Sequence, residues 1–308
     1  MPLDPRAKRL LDMLAMSSPA AALSTQSRRD GFAKLMQMGA RPQAVAHVED
    51  IEIKGPECPL KLRLYDPVPD RAEPAPALVF LHGGGLVAGS IETHDAICRD
   101  LANALAAPVF SVGYRLAPEW RFPASLVDAS FALDWVAREA AALDIDPARI
   151  AIGGESAGGM LAALIANGHL SVKSSAKALL LLCPVIDLAG DFPSRSKFAT
   201  GYLIDKATLA HDIADCLGED QPASLLPSPL RHGSAARTPP TVIVSAECDP
   251  FRDEALLYAQ MLEDEAVPVR HMCHAGMVHS FYGLGALLPQ ARPALEQAAS
   301  ALGEFLRA

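Results

Sequence analysis

The sequence lacks several things that would steer its reading elsewhere. It has no basic run longer than Arg28-Arg29, and its formal net charge is −9. A protein that grips nucleic acid by its phosphates needs the opposite balance, so nucleic acid is not an expected partner. The opening stretch MPLDPRAKRLLDMLAM is broken by Asp4, Asp12 and the basic residues Arg6, Lys8 and Arg9. It reads as neither the apolar core of a secretion signal nor a membrane span, and no membrane insertion is expected. The six cysteines (Cys58, Cys98, Cys183, Cys216, Cys248 and Cys273) are scattered without a CxxC pair. That spacing speaks against a disulfide frame and for reduced thiols in a cytoplasmic protein. His271, Cys273 and His274 lie close together but have no second ligand cluster, so no metal site is expected there. There is no internal repeat and no low-complexity tract.

What is present fits one large α/β domain of 308 residues, half of them hydrophobic. In residues 1–45, Leu3, Ala7, Leu10 and Leu14 share one helical face, and Phe32, Leu35 and Met36 form a second stripe. Two helices lying on the main body as one part of a cap are expected. His47–Ile53 and Leu60–Tyr65 read as a strand pair that begins a sheet. Unbroken apolar runs follow at Ala77–Leu81, Pro108–Val112, Ile150–Ile152, Ala178–Cys183, Thr241–Ser245 and Val267–Met272. Helical segments separate them, notably the stripe Leu126, Ala129, Leu133, Val136 and Ala140, and residues 292–306 read as a closing helix. The pattern implies a mostly parallel sheet of about eight strands with helices on both faces. The rhythm stops between Asp187 and Pro239. Residues 188–238 therefore read as a cap insertion between two parts of the main domain, 46–187 and 239–308.

The chemistry centres on Gly154-Glu155-Ser156-Ala157-Gly158, placed between an apolar run and a small-residue helical pattern. Strand, tight turn and helix are the context in which a serine is presented as a nucleophile, with glycines where a Cβ would collide. The same pentapeptide also fits a Gly-rich helix start, so further support is needed. His82-Gly83-Gly84-Gly85 supplies it, because glycines after a strand can offer N–H groups to an oxyanion. A serine nucleophile needs a base, and the base needs an orienting acid. His279 and Asp249 lie downstream at strand ends; Asp187, also after a strand, is a rival acid that chain order disfavours. His94, His211, His232, His271 and His274 read as surface or structural residues.

These motifs together resemble the hormone-sensitive-lipase-type bacterial carboxylesterases of the α/β-hydrolase superfamily. HGGG at 82–85, VAGSIETHD at 87–95, GYRLAPE at 113–119, GESAGG at 154–159, DPFRDE at 249–254 and GMVHSF at 276–281 occur in that family's order. The resemblance covers the chain from about residue 46 to its end. It implies an α/β-hydrolase fold with a helical cap, with Ser156 as nucleophile, His279 as base and acid, and Asp249 as orienting acid. It puts the oxyanion hole at the amides of Gly84, Gly85 and Ala157, and makes Tyr114–Glu119 and Arg252–Glu254 structural supports. Glu155 departs from the family's commoner Asp, and Leu86 stands where an aromatic residue is common. A substrate pocket is expected from Leu86, Val87, Glu155, Tyr202, Leu203, Ile204 and Phe281. The implied reaction is hydrolysis of short- to medium-chain carboxylic esters, a small-molecule substrate, by a monomer or homodimer with no cofactor and no metal. An amidase or formamidase would use the same triad, and a non-catalytic small-molecule receptor would keep the fold while losing the histidine.

Overall fold

The computed structural model describes residues 3–17, 24–170, 175–218 and 227–308. Eight strands form one sheet in the order β1-β2-β4-β3-β5-β6-β7-β8. β1 (His47–Lys54) and β2 (Pro59–Asp66) pair antiparallel, and β2 is antiparallel to β4 (Val109–Gly113). From β4 onward every pairing is parallel, through β3 (Ala75–Leu81), β5 (Ile145–Glu155), β6 (Ala178–Leu182), β7 (Thr241–Cys248) and β8 (Val269–Val278). The strands run longer than their apolar cores, most clearly β5, which begins five residues before Ile150. Of those extra residues Ile145 pairs with Ala75 of β3, before a shift in register at Ala77.

Alternation along each strand builds two cores. On β3, Ala77, Val79 and Leu81 face α4 (Ala124–Arg138), α5 (Ala157–Ala166) and α8 (Arg252–Asp264). Leu78 and Phe80 face the opposite layer, with α1 (Pro5–Ser17), α3 (Asp95–Leu105) and α9 (Ala291–Arg307). Both faces of the central strands are therefore dry, as unbroken apolar strands require. Ala7 and Leu10 of α1 are buried in this second layer, with Leu3 and Leu14 packed against it.

α2 (Thr25–Gly39) is started by a capping box between Ser24 and Ser27. Between β6 and β7 lie α6 (Pro193–Lys197) and α7 (Lys206–Leu217), the latter capped by Asp205. Of the prolines in this stretch, Pro222 falls outside the described residues. α2 and α7 meet although their contacting residues are 184 positions apart. Arg28 donates from Nη2 to Asp212 Oδ2 at 3.0 Å and from Nε at 3.2 Å. Both side chains are under a tenth exposed. Thr25 Oγ1 adds a bond to Asp215 Oδ2 at 2.7 Å, and Arg29 ties α2 to the Val87 carbonyl and to Glu119.

A buried charge left without its partner is more costly than the pair is stabilising. Arg28→Met is therefore expected to lower stability by about 3–5 kcal/mol. Adding Asp212→Leu should recover much of that loss in urea unfolding, whereas additive losses would show that the two charges do not depend on each other.

Candidate active site

β5 ends at Glu155 and α5 begins at Ala157, so Ser156 alone makes the turn, at φ 54° and ψ −117°. A non-glycine residue held there stores about 1–3 kcal/mol. Ser156 N donates to Leu182 O at 2.9 Å, and Ser156 O accepts from Met160 N and Val185 N. Only bare backbone allows this approach. A Cβ on Gly158 would sit 2.2 Å from Leu81 O, and one on Gly154 would sit 2.4 Å from the Gly158 carbonyl carbon. The turn leaves the Ser156 hydroxyl at the N-terminus of α5, where the helix dipole favours negative charge.

Ser156 Oγ donates to His279 Nε2 at 2.9 Å, and His279 Nδ1 donates to Asp249 Oδ2 at 2.8 Å. Asp249 follows β7 directly and His279 follows β8 directly, so the sheet's parallel order brings them to the same edge as the β5 turn. None of the three is more than 5% exposed. The other oxygen of Asp249 accepts from Phe251 N at 2.8 Å, which fixes the carboxylate's plane. Burial disfavours the charged form of His279, but the charge and hydrogen bond of Asp249, with the charge of Glu155, outweigh it and raise its pKa. The rival acid is engaged elsewhere: Asp187 accepts from Ser228 Oγ at 2.6 Å, Arg231 Nε at 2.9 Å and Ala189 N at 3.0 Å. A hydroxyl bonded to an imidazole that a buried carboxylate orients is an arrangement able to attack an electrophilic carbon.

The loop after β3 lies beside that hydroxyl. Gly84 and Gly85 have φ of 121° and 70°, a backbone that other residues rarely adopt. Their amides donate to no other group among the described residues, and Ala157, first in α5, has no preceding turn to donate to. The loop is braced from behind. Tyr114 Oη donates to His82 O at 2.6 Å and stacks on the His82 ring at 4.2 Å. Gly83 N donates to His94 Nε2 at 3.0 Å. Burial, helped by the neighbouring His94, depresses the His82 pKa to about 3. Glu155 accepts from Ser280 Oγ, lies 3.4 Å from His94 Nε2 and comes within 4.0 Å of His279 Nε2. Burial pushes the Glu155 pKa up, but the neighbouring His94 and His279 and the Ser280 hydroxyl together bring it below the ordinary value.

The cavity in front of Ser156 has about 30 Å³ of free space and is lined by Leu86, Met160, Val185, Ile204, Ile213 and Phe251, among others. Ile204 and Leu209 also border a wider cleft of about 420 Å³ beside Arg195 and Asp205. Two expected pocket residues, Leu86 and Ile204, thus stand beside Ser156. Five do not line this cavity. Val87 is fully buried in the core layer on the α4 side. Phe281 lies 4.0 Å from the Tyr282 ring in the layer on the α9 side, and Tyr202 and Leu203 pack against that same layer. Leu203 takes φ 72°, and that kink sends neighbouring side chains to different sides. Glu155 is turned behind the elbow toward Ser280. Sequence reasoning missed Asp212, which lines the cavity and whose carboxylate occupies the space a Cβ on Gly85 would need. It also left His94 as merely structural, whereas its ring nitrogen holds the glycine loop.

Comparison with known proteins identifies the family. Residues 78–283 match a family model described as the alpha/beta hydrolase fold. The chain is 38% identical over 253 residues to an ethyl acetate hydrolase of Pseudomonas putida, covering 80% of this chain and 79% of that one. It is 33% identical over 316 residues to the carboxylesterase NlhH of Mycobacterium tuberculosis, covering 99% and 97%. Among solved structures, a Pyrobaculum calidifontis esterase superposes with a TM-score of 0.88 at 36% identity over the full length of both chains. An ester hydrolase from the metagenome of Lake Arreo reaches 0.93 at 32% identity, covering 99% of this chain and 100% of that one. With its sheet order, its turn at Ser156 and these relatives, the chain belongs to the alpha/beta hydrolase fold family, in the hormone-sensitive-lipase-type group of carboxylesterases.

Proposed function

We propose that Ser156, His279 and Asp249 hydrolyse carboxylic esters through an acyl-enzyme. The observation that carries this reading is the buried relay of 2.9 and 2.8 Å from Ser156 through His279 to Asp249, opening on an apolar cavity. The protein is a carboxylesterase, as its named relatives are. Ser156 attacks the ester carbonyl while His279 Nε2 takes its proton. The oxyanion is held by the amides of Gly84, Gly85 and Ala157, a reading that their lack of another acceptor among the described residues supports. His279 then protonates the leaving alcohol, and in the second half it activates water against the acyl-enzyme.

We further read residues 1–45 and 188–238 as a two-part cap over the catalytic body formed by 46–187 and 239–308; the Arg28–Asp212 pair supports that reading. Among the described residues no helix is long and apolar enough to cross a membrane. We read the protein as a cytoplasmic monomer or homodimer; the six unpaired cysteines support the reducing compartment.

Three measurements test the assignment. Ser156→Ala should abolish turnover of aryl esters without altering thermal unfolding. Asp249→Asn should lower kcat by about 10⁴-fold, the loss known for the same change in a serine protease, because the imidazole then holds the wrong tautomer. Asp187→Asn should keep most of its kcat, and the reverse ranking of these two variants would exchange the acids.

The base must be neutral to accept a proton, and its pKa is raised. Activity should therefore be full at alkaline pH and fall on acidification through one group titrating above about 6.5. Glu155→Gln, which removes a nearby negative charge, should move that midpoint downward in a pH profile of kcat/KM.

The cavity is narrow and apolar. Each added carbon gains about 0.8 kcal/mol while space lasts, so kcat/KM should rise with acyl length and peak at about C4 to C8. A preference for emulsified long-chain triacylglycerol in a chain-length panel would contradict this reading.

A further inference from the structure

β6 ends at Leu182, and Cys183 turns out of the sheet at φ 42° with its amide bonded to Val244 O at 2.7 Å. Its thiol lies behind the relay, not in front of it. Sγ donates to Tyr282 Oη at 3.6 Å, and one ligand atom each from Cys183, Asp249 and His279 lies within 4.8 Å of the others. All three side chains are buried. We propose that Cys183, Asp249 and His279 form an inhibitory binding site for a soft divalent ion of the zinc group.

The ligand chemistry fits. Thiolate, imidazole and carboxylate are the donors such ions take, and bonds of about 2.0–2.3 Å place tetrahedral ligands about 3.5 Å apart. A separation of up to 4.8 Å among the three must close by about an ångström, while Nδ1 and Asp249 Oδ2, at 2.8 Å, must part slightly. Tyr282 Oη or a water supplies the fourth position. His279 can offer only Nδ1, the nitrogen that faces Asp249, because Nε2 faces Ser156.

The balance of protons explains why occupancy stops the reaction. The thiol gives its proton to solvent and Asp249 stays a carboxylate. The proton on His279 Nδ1 moves to Nε2 as the metal–nitrogen bond forms, so one proton leaves per ion bound. The ring then presents N–H to the Ser156 oxygen and cannot accept the serine's proton. Such an ion is an inhibitor, not a cofactor, and the inhibition rests on the catalytic role proposed for His279. With all four groups buried, the ion must enter by local opening, so onset should be slow.

The test uses the full chain and Cd²⁺, reading thiolate-to-cadmium absorbance and esterase activity in parallel, each activity relative to the same variant without metal. Wild-type protein should gain the absorbance and lose activity progressively, and EDTA should restore activity. Cys183→Ala and Cys183→Ser should each lose that absorbance, and the half-inhibiting Cd²⁺ concentration should rise by about 100-fold. Cys273→Ala, which removes an exposed thiol, should change neither readout. If both Cys183 variants remain as sensitive as wild type, or wild type shows no absorbance, the proposed site is wrong. Absorbance that depends on Cys183 with activity intact would also overturn the inhibition, and would fault the role of His279 instead of the ligand set.

Discussion

Everything in the site depends on how closely two bare stretches of backbone approach each other. Gly158 lies where a single added carbon would stand 2.2 Å from the Leu81 carbonyl, at the very end of β3. That contact seats α5 on the sheet, and it fixes Ser156 in a backbone conformation that nothing local favours. It also fixes the distance from Ser156 to the glycine loop, because that loop starts one residue after Leu81. The serine and its amide donors are thus placed by one packing decision. The imidazole and carboxylate then arrive from β8 and β7, each one residue past its strand.

The electrostatics follow from the same crowding. His279 is fully buried, which by itself would keep it neutral, yet it has a carboxylate on either side: Asp249 at 2.8 Å from Nδ1 and Glu155 at 4.0 Å from Nε2. The two carboxylates therefore lower the cost of a protonated ring at this buried position. Glu155 is itself held by Ser280, the residue after the histidine, and lies against His94, whose nitrogen holds Gly83. A change at Glu155 would be felt both at His279 and at the glycine loop after β3.

Much of this was legible in the sequence because the relevant signals are local. Apolar runs bounded by glycine and proline marked the strands, and the turn residues around Ser156 and after His82 carry their own steric reasons. The choice between Asp249 and Asp187 rested on chain order, and the structure adds a physical ground: Asp187 already accepts from Arg231 and Ser228. What stayed hidden is long-range or rotational. Arg28 and Asp212 have no sequence feature that pairs them. Tyr202, Leu203 and Ile204 were read as one lining segment, but a residue with positive φ in their midst sends only Ile204 to the cavity. Val87 and Phe281 are apolar and next to motif residues, yet both point into core layers, a direction that neighbourhood in sequence does not specify.

The Arg28–Asp212 pair also has a consequence in time. A chain made from its N-terminus exposes α2 long before its partner exists, since the two residues are 184 positions apart. At about 5–20 residues per second, Arg28 waits roughly 10 to 40 s on the ribosome for the carboxylate that will neutralise it. The histidine of the relay is made later still. Met36 on α2's inner face waits longer still, because it lies against Gly283, beyond the last strand. The packing of α2 is thus completed only after the last strand has been made.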